Sequence, residues 1–103
     1  MAKNQDHAEQ LGRAWTLHRQ GQNEAAIREF DSLLQLSANN TDALYGLALA
    51  QRSSGQLEEA QASFEKCLTQ LAGLVKEYPR EDRYQMLQKM ANQRLDELKD
   101  NKS

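Results

Sequence analysis

Residues 21–30 read GQNEAAIREF and residues 55–64 read GQLEEAQASF, 34 positions apart. Sliding residues 7–40 onto 41–74 without a gap brings nine positions into identity, where chance would give roughly two. The matched pairs are Gly12/Gly46, Ala14/Ala48, Gly21/Gly55, Gln22/Gln56, Glu24/Glu58, Ala26/Ala60, Phe30/Phe64, Leu34/Leu68 and Ala38/Ala72. A period of this length belongs to stacked supersecondary units, each too small to bury its apolar face alone.

The residue types inside the period say what the unit is. β-branched residues are few (one Val, one Ile, three Thr), while Ala, Leu, Gln, Glu, Lys and Arg dominate. Those are helix formers, so the chain reads as all-α. Gly21 and Gly55 fall where a helix must stop and reverse, and glycine takes φ > 0 at little cost. Ala14 with Ala26, and Ala48 with Ala60, flank that turn and let two antiparallel helices approach closely. Phe30 and Phe64 fill the space farther along the second helix. The periodicity predicts helices over about 5–20, 23–37, 41–54 and 57–77. SANNT at 37–41 is a turn cluster, with Asn40 or Thr41 as the N-cap of the third helix. Glu9→Arg13 and Glu24→Arg28 are i,i+4 pairs in the favourable order.

Residues 79–99 do not repeat the motif. Pro79 suits the first turn of a helix, and Glu81 and Asp82 suit its positive end. At 100° per residue, Tyr84, Leu87, Ala91, Leu95 and Leu98 share a narrow arc with Met90 at its edge, which makes an amphipathic helix. Its stripe needs a cover. Packing on the third and fourth helices would make it a cap. Docking on a second copy of the chain, or exchanging between copies with Gly73 to Pro79 as the hinge, would make it a dimer element. The tail, DNKS, is expected to fray.

A 34-residue period with Ala before the turn, Gly at it, Ala five residues later and Phe four after that resembles the tetratricopeptide repeat, over two full units. Ala38 and Ala72 stand where the repeat usually has proline. Gln10, Arg13 and Asn23 replace the apolar Leu44, Leu47 and Leu57 of the second unit, as suits the outer side of an N-terminal unit. The resemblance implies right-handed antiparallel helical hairpins stacked as a short solenoid of about five helices: one domain over 1–103, with repeats 7–40 and 41–74 and a capping helix at 79–99.

It also implies a concave face lined by the first helix of each hairpin. Carried over residue by residue, that face holds Ala8, Leu11, Trp15, His18 and Arg19 from the first unit, and Asp42, Tyr45, Leu49, Arg52 and Ser53 from the second. Leu11, Trp15 and His18 form an i, i+4, i+7 row, as do Tyr45, Leu49 and Arg52. The expected partner-binding residues are Leu11, Trp15, Arg19, Tyr45, Leu49 and Arg52: an apolar floor with arginines at one end, suited to a peptide or helix with apolar anchors and an acidic flank. The other reading of Trp15 and Tyr45 is that they are core, or covered by the C-terminal helix. The Lys and Asn clamp with which one subclass grips a C-terminal carboxylate is absent from these positions.

The expected function is protein–protein interaction, as a scaffold, with a self-associating structural adaptor as the alternative. The net charge of −2, with 13 basic residues scattered among 15 acidic ones, points away from nucleic acid and from membrane surfaces. No apolar run approaches the ~20 residues of a membrane span. The first ten residues, MAKNQDHAEQ, carry no signal core, and the single Cys67 forms no internal disulfide. A cytoplasmic protein is expected. No enzyme, metal or cofactor is expected either. His7 and His18 are three helical turns apart, Glu58 and Glu59 point in different directions, and the glycines are too dispersed for a phosphate loop. Cys67, opposite Leu33 of the first unit, reads as a buried packing residue.

Overall fold

In a computed structural model of the chain, which describes the backbone of residues 3–102 and the side chains of residues 7–100, Gly21 and Gly55 have φ of +80° and +85°. Each closes the same turn. The Gly21 N–H donates to the His18 carbonyl at 3.0 Å and the Gln22 N–H to Leu17 at 2.9 Å. One period later Gly55 donates to Arg52 at 3.1 Å and Gln56 to Gln51 at 2.8 Å. This paired arrangement satisfies carbonyls that a helix end leaves unpaired, and a side chain at the left-handed position would strain it.

The elements run α1 (Lys3–Arg19), α2 (Asn23–Leu36), α3 (Thr41–Ser53), α4 (Leu57–Glu77) and α5 (Asp82–Lys102). No strand occurs among the described residues. The all-α, helical-repeat architecture is therefore as expected: α1 with α2 and α3 with α4 are hairpins, α2 packs on α3, and α5 packs on α4. Ala14, Ala26, Ala48 and Ala60 are fully buried where the paired helices come closest, and Phe30, Phe64, Leu33 and Cys67 fill the layer behind them. Asn40 caps α3, its side chain accepting from the Ala43 N–H at 3.1 Å. Gln70 of α4 ties down the loop before that cap. It donates to the Ala38 carbonyl at 2.9 Å and accepts from the Thr41 hydroxyl at 2.8 Å.

Some details differ from expectation. Pro79 lies before α5 rather than in its first turn. Tyr78 ends α4 by donating to the Leu74 carbonyl, and its own carbonyl accepts from the Glu81 N–H at 3.0 Å. That tight turn occupies Tyr78 to Glu81, so α5 begins only at Asp82. α4 runs through Gly73 without a break. α5 is helical through Lys102, and Ser103 of the expected frayed tail lies outside the described residues. The Glu9–Arg13 and Glu24–Arg28 pairs are not closed. The ion pairs among the described residues are Arg52–Glu97, Arg94–Glu97 and Arg83–Glu81.

On α5, Ala91, Leu95 and Leu98 are buried, and Tyr84 and Leu87 pack against the core from its edge. The stripe is covered within the chain. Met86 and Met90, a turn apart beside it, stay 62% and 44% exposed.

Candidate partner-binding face

α1 and α3 supply the expected face, and their side chains have different fates along it. Trp15 is half-buried. Its ring stands edge-on to Phe30 at 5.3 Å and lies 6.5 Å from Tyr45 and 6.0 Å from His18. Such aromatic contacts hold the indole in place while part of it keeps accessible surface. Leu11 and Leu49 are likewise half-buried against the core. Arg19 is exposed, donates to the Thr16 hydroxyl at 3.2 Å, and has no carboxylate partner among the described residues.

Tyr45 and Arg52 sit deeper or closer to α5. Tyr45 is 5% exposed, its ring edge-on to Phe64 at 5.9 Å. Arg52 pairs with Glu97 at 3.4 Å. The same carboxylate accepts from Arg94 at 3.2 and 3.3 Å. Hydrogen bonding to Glu97 first, and to the Tyr45 hydroxyl second, holds the Arg94 guanidinium more firmly charged. One carboxylate of α5 thus satisfies the basic end of the α3 row, and Leu11, Trp15, Arg19 and Leu49 keep accessible surface.

His18 stands between these groups. Burial first, then the Arg52 charge, push its pKa below the usual 6.5; the Asn23 side chain opposes the shift, and Arg19 adds to it. His18 Nδ1 and Asn23 Oδ1 are both buried, and neither reaches hydrogen-bond geometry with another group among the described residues.

A second recess adjoins the face. The loop and first turn of α3 (Asn39 to Asp42), Leu74 of α4 and Leu87, Met86 and Met90 of α5 enclose a cleft of about 450 Å³. Arg83 stands at its rim, 4.9 Å over the Tyr84 ring. Methionine adapts to irregular apolar partners. The mapping from α1 and α3 alone missed this cleft. The signal was Met86, an apolar residue lying off the buried stripe one turn before Met90.

Cys67 is not poised as a nucleophile. It is fully buried, and its burial, with the Asp42 charge adding to it, pushes the thiol up to about 12. Among the described residues no group of three or more His, Cys, Asp and Glu could hold a metal ion, and no helix is long and apolar enough to cross a membrane.

A family model described as tetratricopeptide repeat matches residues 17–91, from the last turn of α1 to the middle of α5. Neither a curated protein nor a solved structure matches the chain.

Proposed function

From the premise that this chain belongs to the tetratricopeptide repeat family, whose repeats mediate protein–protein interaction, we propose that it is a non-catalytic interaction module holding a peptide or helix of a partner protein on its concave face. Leu11, Trp15 and Leu49 contact apolar anchors of that segment, and Arg19 meets a carboxylate beside them. Tyr45 and Arg52 complete the site from behind, Tyr45 supporting Trp15 and Arg52 held by Glu97. The cleft at Met86 and Met90 extends the surface for a longer segment. The partner is a protein rather than nucleic acid or a membrane, and the module works as a cytoplasmic scaffold.

The observation that carries this reading is Trp15. This large aromatic side chain is left half-buried, as are Leu11 and Leu49 of the same expected face, and the arginine one helical turn away meets no carboxylate among the described residues. Contiguous apolar surface of this kind marks an interaction site. The alternative, a self-associating adaptor built on α5, has less support, because Ala91, Leu95 and Leu98 are already buried within the chain.

The test is affinity capture by the native chain against an Arg19→Glu, Leu49→Asn double variant with an unchanged melting temperature. Loss of a discrete partner from the variant is expected. Capture of the same partner by both would place the site elsewhere. Sedimentation equilibrium at high micromolar concentration separates the alternative, which requires a dimer.

A further inference from the structure

Gly12 and Gly46 hold the same place one period apart, yet their surroundings differ. At Gly46 the Phe30 ring of α2 presses on the α3 backbone, and a Cβ there would collide with ring carbons. At Gly12 nothing among the described residues lies within 4 Å of the corresponding Cβ position, and the residue is exposed. A glycine inside a helix is unfavourable unless something approaches its backbone. Among the described residues that reason exists at position 46 and is missing at position 12.

The outer face of α1 around Gly12 is a shallow recess of about 700 Å³ that Arg13, Trp15, Leu17, Arg19 and Glu29 also line. The positions one period after Arg13, Thr16 and Leu17 are Leu47, Ala50 and Gln51, and these are buried in the stack. Arg13 and Arg19 have no ion-pair partner among the described residues, while the Glu29 carboxylate accepts from the Gln10 amide at 3.2 Å. The recess therefore offers two cations without a carboxylate partner beside an open glycine.

We propose that this outer face of α1 docks an amphipathic helix of a partner protein, packed as α2 packs on α3: an aromatic side chain against Gly12, and carboxylates on either side of it meeting Arg13 and Arg19. The chain contains a pattern for the occupant. Phe30, the residue over Gly46, is flanked by Glu29 and Asp31. Ridge-into-groove packing carries the aromatic, and the complementary charges set its register. This surface is the outer side of the first described helix and shares Trp15 and Arg19 with the edge of the concave face, but Gly12 and Arg13 belong to it alone, and the inference does not rest on the concave face binding anything.

The probe is the α2 sequence added in trans: the peptide NEAAIREFDSLLQL, residues 23–36, acetylated and amidated, titrated into the full chain. Amide shifts and the emission of Trp15 report on the recess. A saturable change centred on Gly12 is expected, weakened at least about tenfold by Phe→Ala in the peptide or Arg13→Glu in the chain, and weakened by salt. Gly12→Leu fills the recess and abolishes binding, with a melting temperature unchanged or higher because nothing packs on that position. The proposal is overturned by no saturable change up to millimolar peptide, by equal binding to Gly12→Leu, or by shifts centred on Gly46, which would mean that the peptide displaces α2. Self-association of the chain that Gly12→Leu removes overturns it in favour of a second copy.

Discussion

Arg52 of α3 and Glu97 of α5 are joined by an ion pair of 3.4 Å. The contact ties the non-repeating helix to the second unit and neutralises a cation that the α3 row would otherwise present. Its side chains remain 32% and 45% exposed, so water screens the attraction. Glu97→Gln is expected to cost less than about 1 kcal/mol in urea unfolding. A larger loss would mean that the pair anchors α5 rather than trims its charge.

The two matched glycines should respond to alanine with opposite signs. Gly46→Ala forces the fully buried Phe30 ring to move and should cost about 1–3 kcal/mol. Gly12→Ala meets open space and should gain about 0.5–1 kcal/mol from helix propensity alone. Urea midpoints for the two variants check this directly. Equal effects would contradict the Phe30 contact.

Cys67 should be inert to thiol reagents in the native chain and react only on opening, since it is fully buried and its pKa is pushed from 9.0 to about 12. The sign of the linkage follows. Below about pH 9 the thiol is neutral in both states and makes no difference. Between about 9 and 12 the unfolded chain loses the proton first, so folded stability falls across that window. Cys67→Ser or Cys67→Ala should remove that alkaline slope, as denaturant midpoints against pH would record.

His18 works in the other direction. Its folded pKa lies below 6.5, chiefly through burial and then Arg52, so the unfolded chain binds the proton more readily. The neutral imidazole's contribution is complete above about pH 6.5 and declines as pH falls through that value. An NMR titration should give a midpoint below 6.5. Trp15 emission should change with it, since the two rings are 6.0 Å apart. A midpoint at or above 6.5 would contradict the burial.

Much of the frame was readable from residue types because the period states it twice. Gly21 and Gly55 make the same turn, and the four alanines and two phenylalanines are buried as their spacing requires. Local chemistry also sufficed for the Asn40 cap. What was not readable depends on helices that do not repeat. The pairing of Arg52 with Glu97 follows from the register of α5 against α3, which no motif in α5 announces. Pro79 reads as a helix start because proline suits one, but the Tyr78 carbonyl has a nearer partner in Glu81. Gly12 and Gly46 are the same letter in the same frame, and what separates them among the described residues is the Phe30 ring that α2 lays on position 46.

Each helix leans mainly on those before and after it in the chain, with a small further contact between α1 and α3. Few distant segments must find one another, so the entropy of closing long loops is low and folding should be fast, on the order of milliseconds or less. The same neighbour-only wiring lets the molecule unzip from one end. Either outer helix can peel away while the hairpin at the other side stays shut, so amide exchange and proteolysis are expected to begin at α1 and α5 and to reach α3 last.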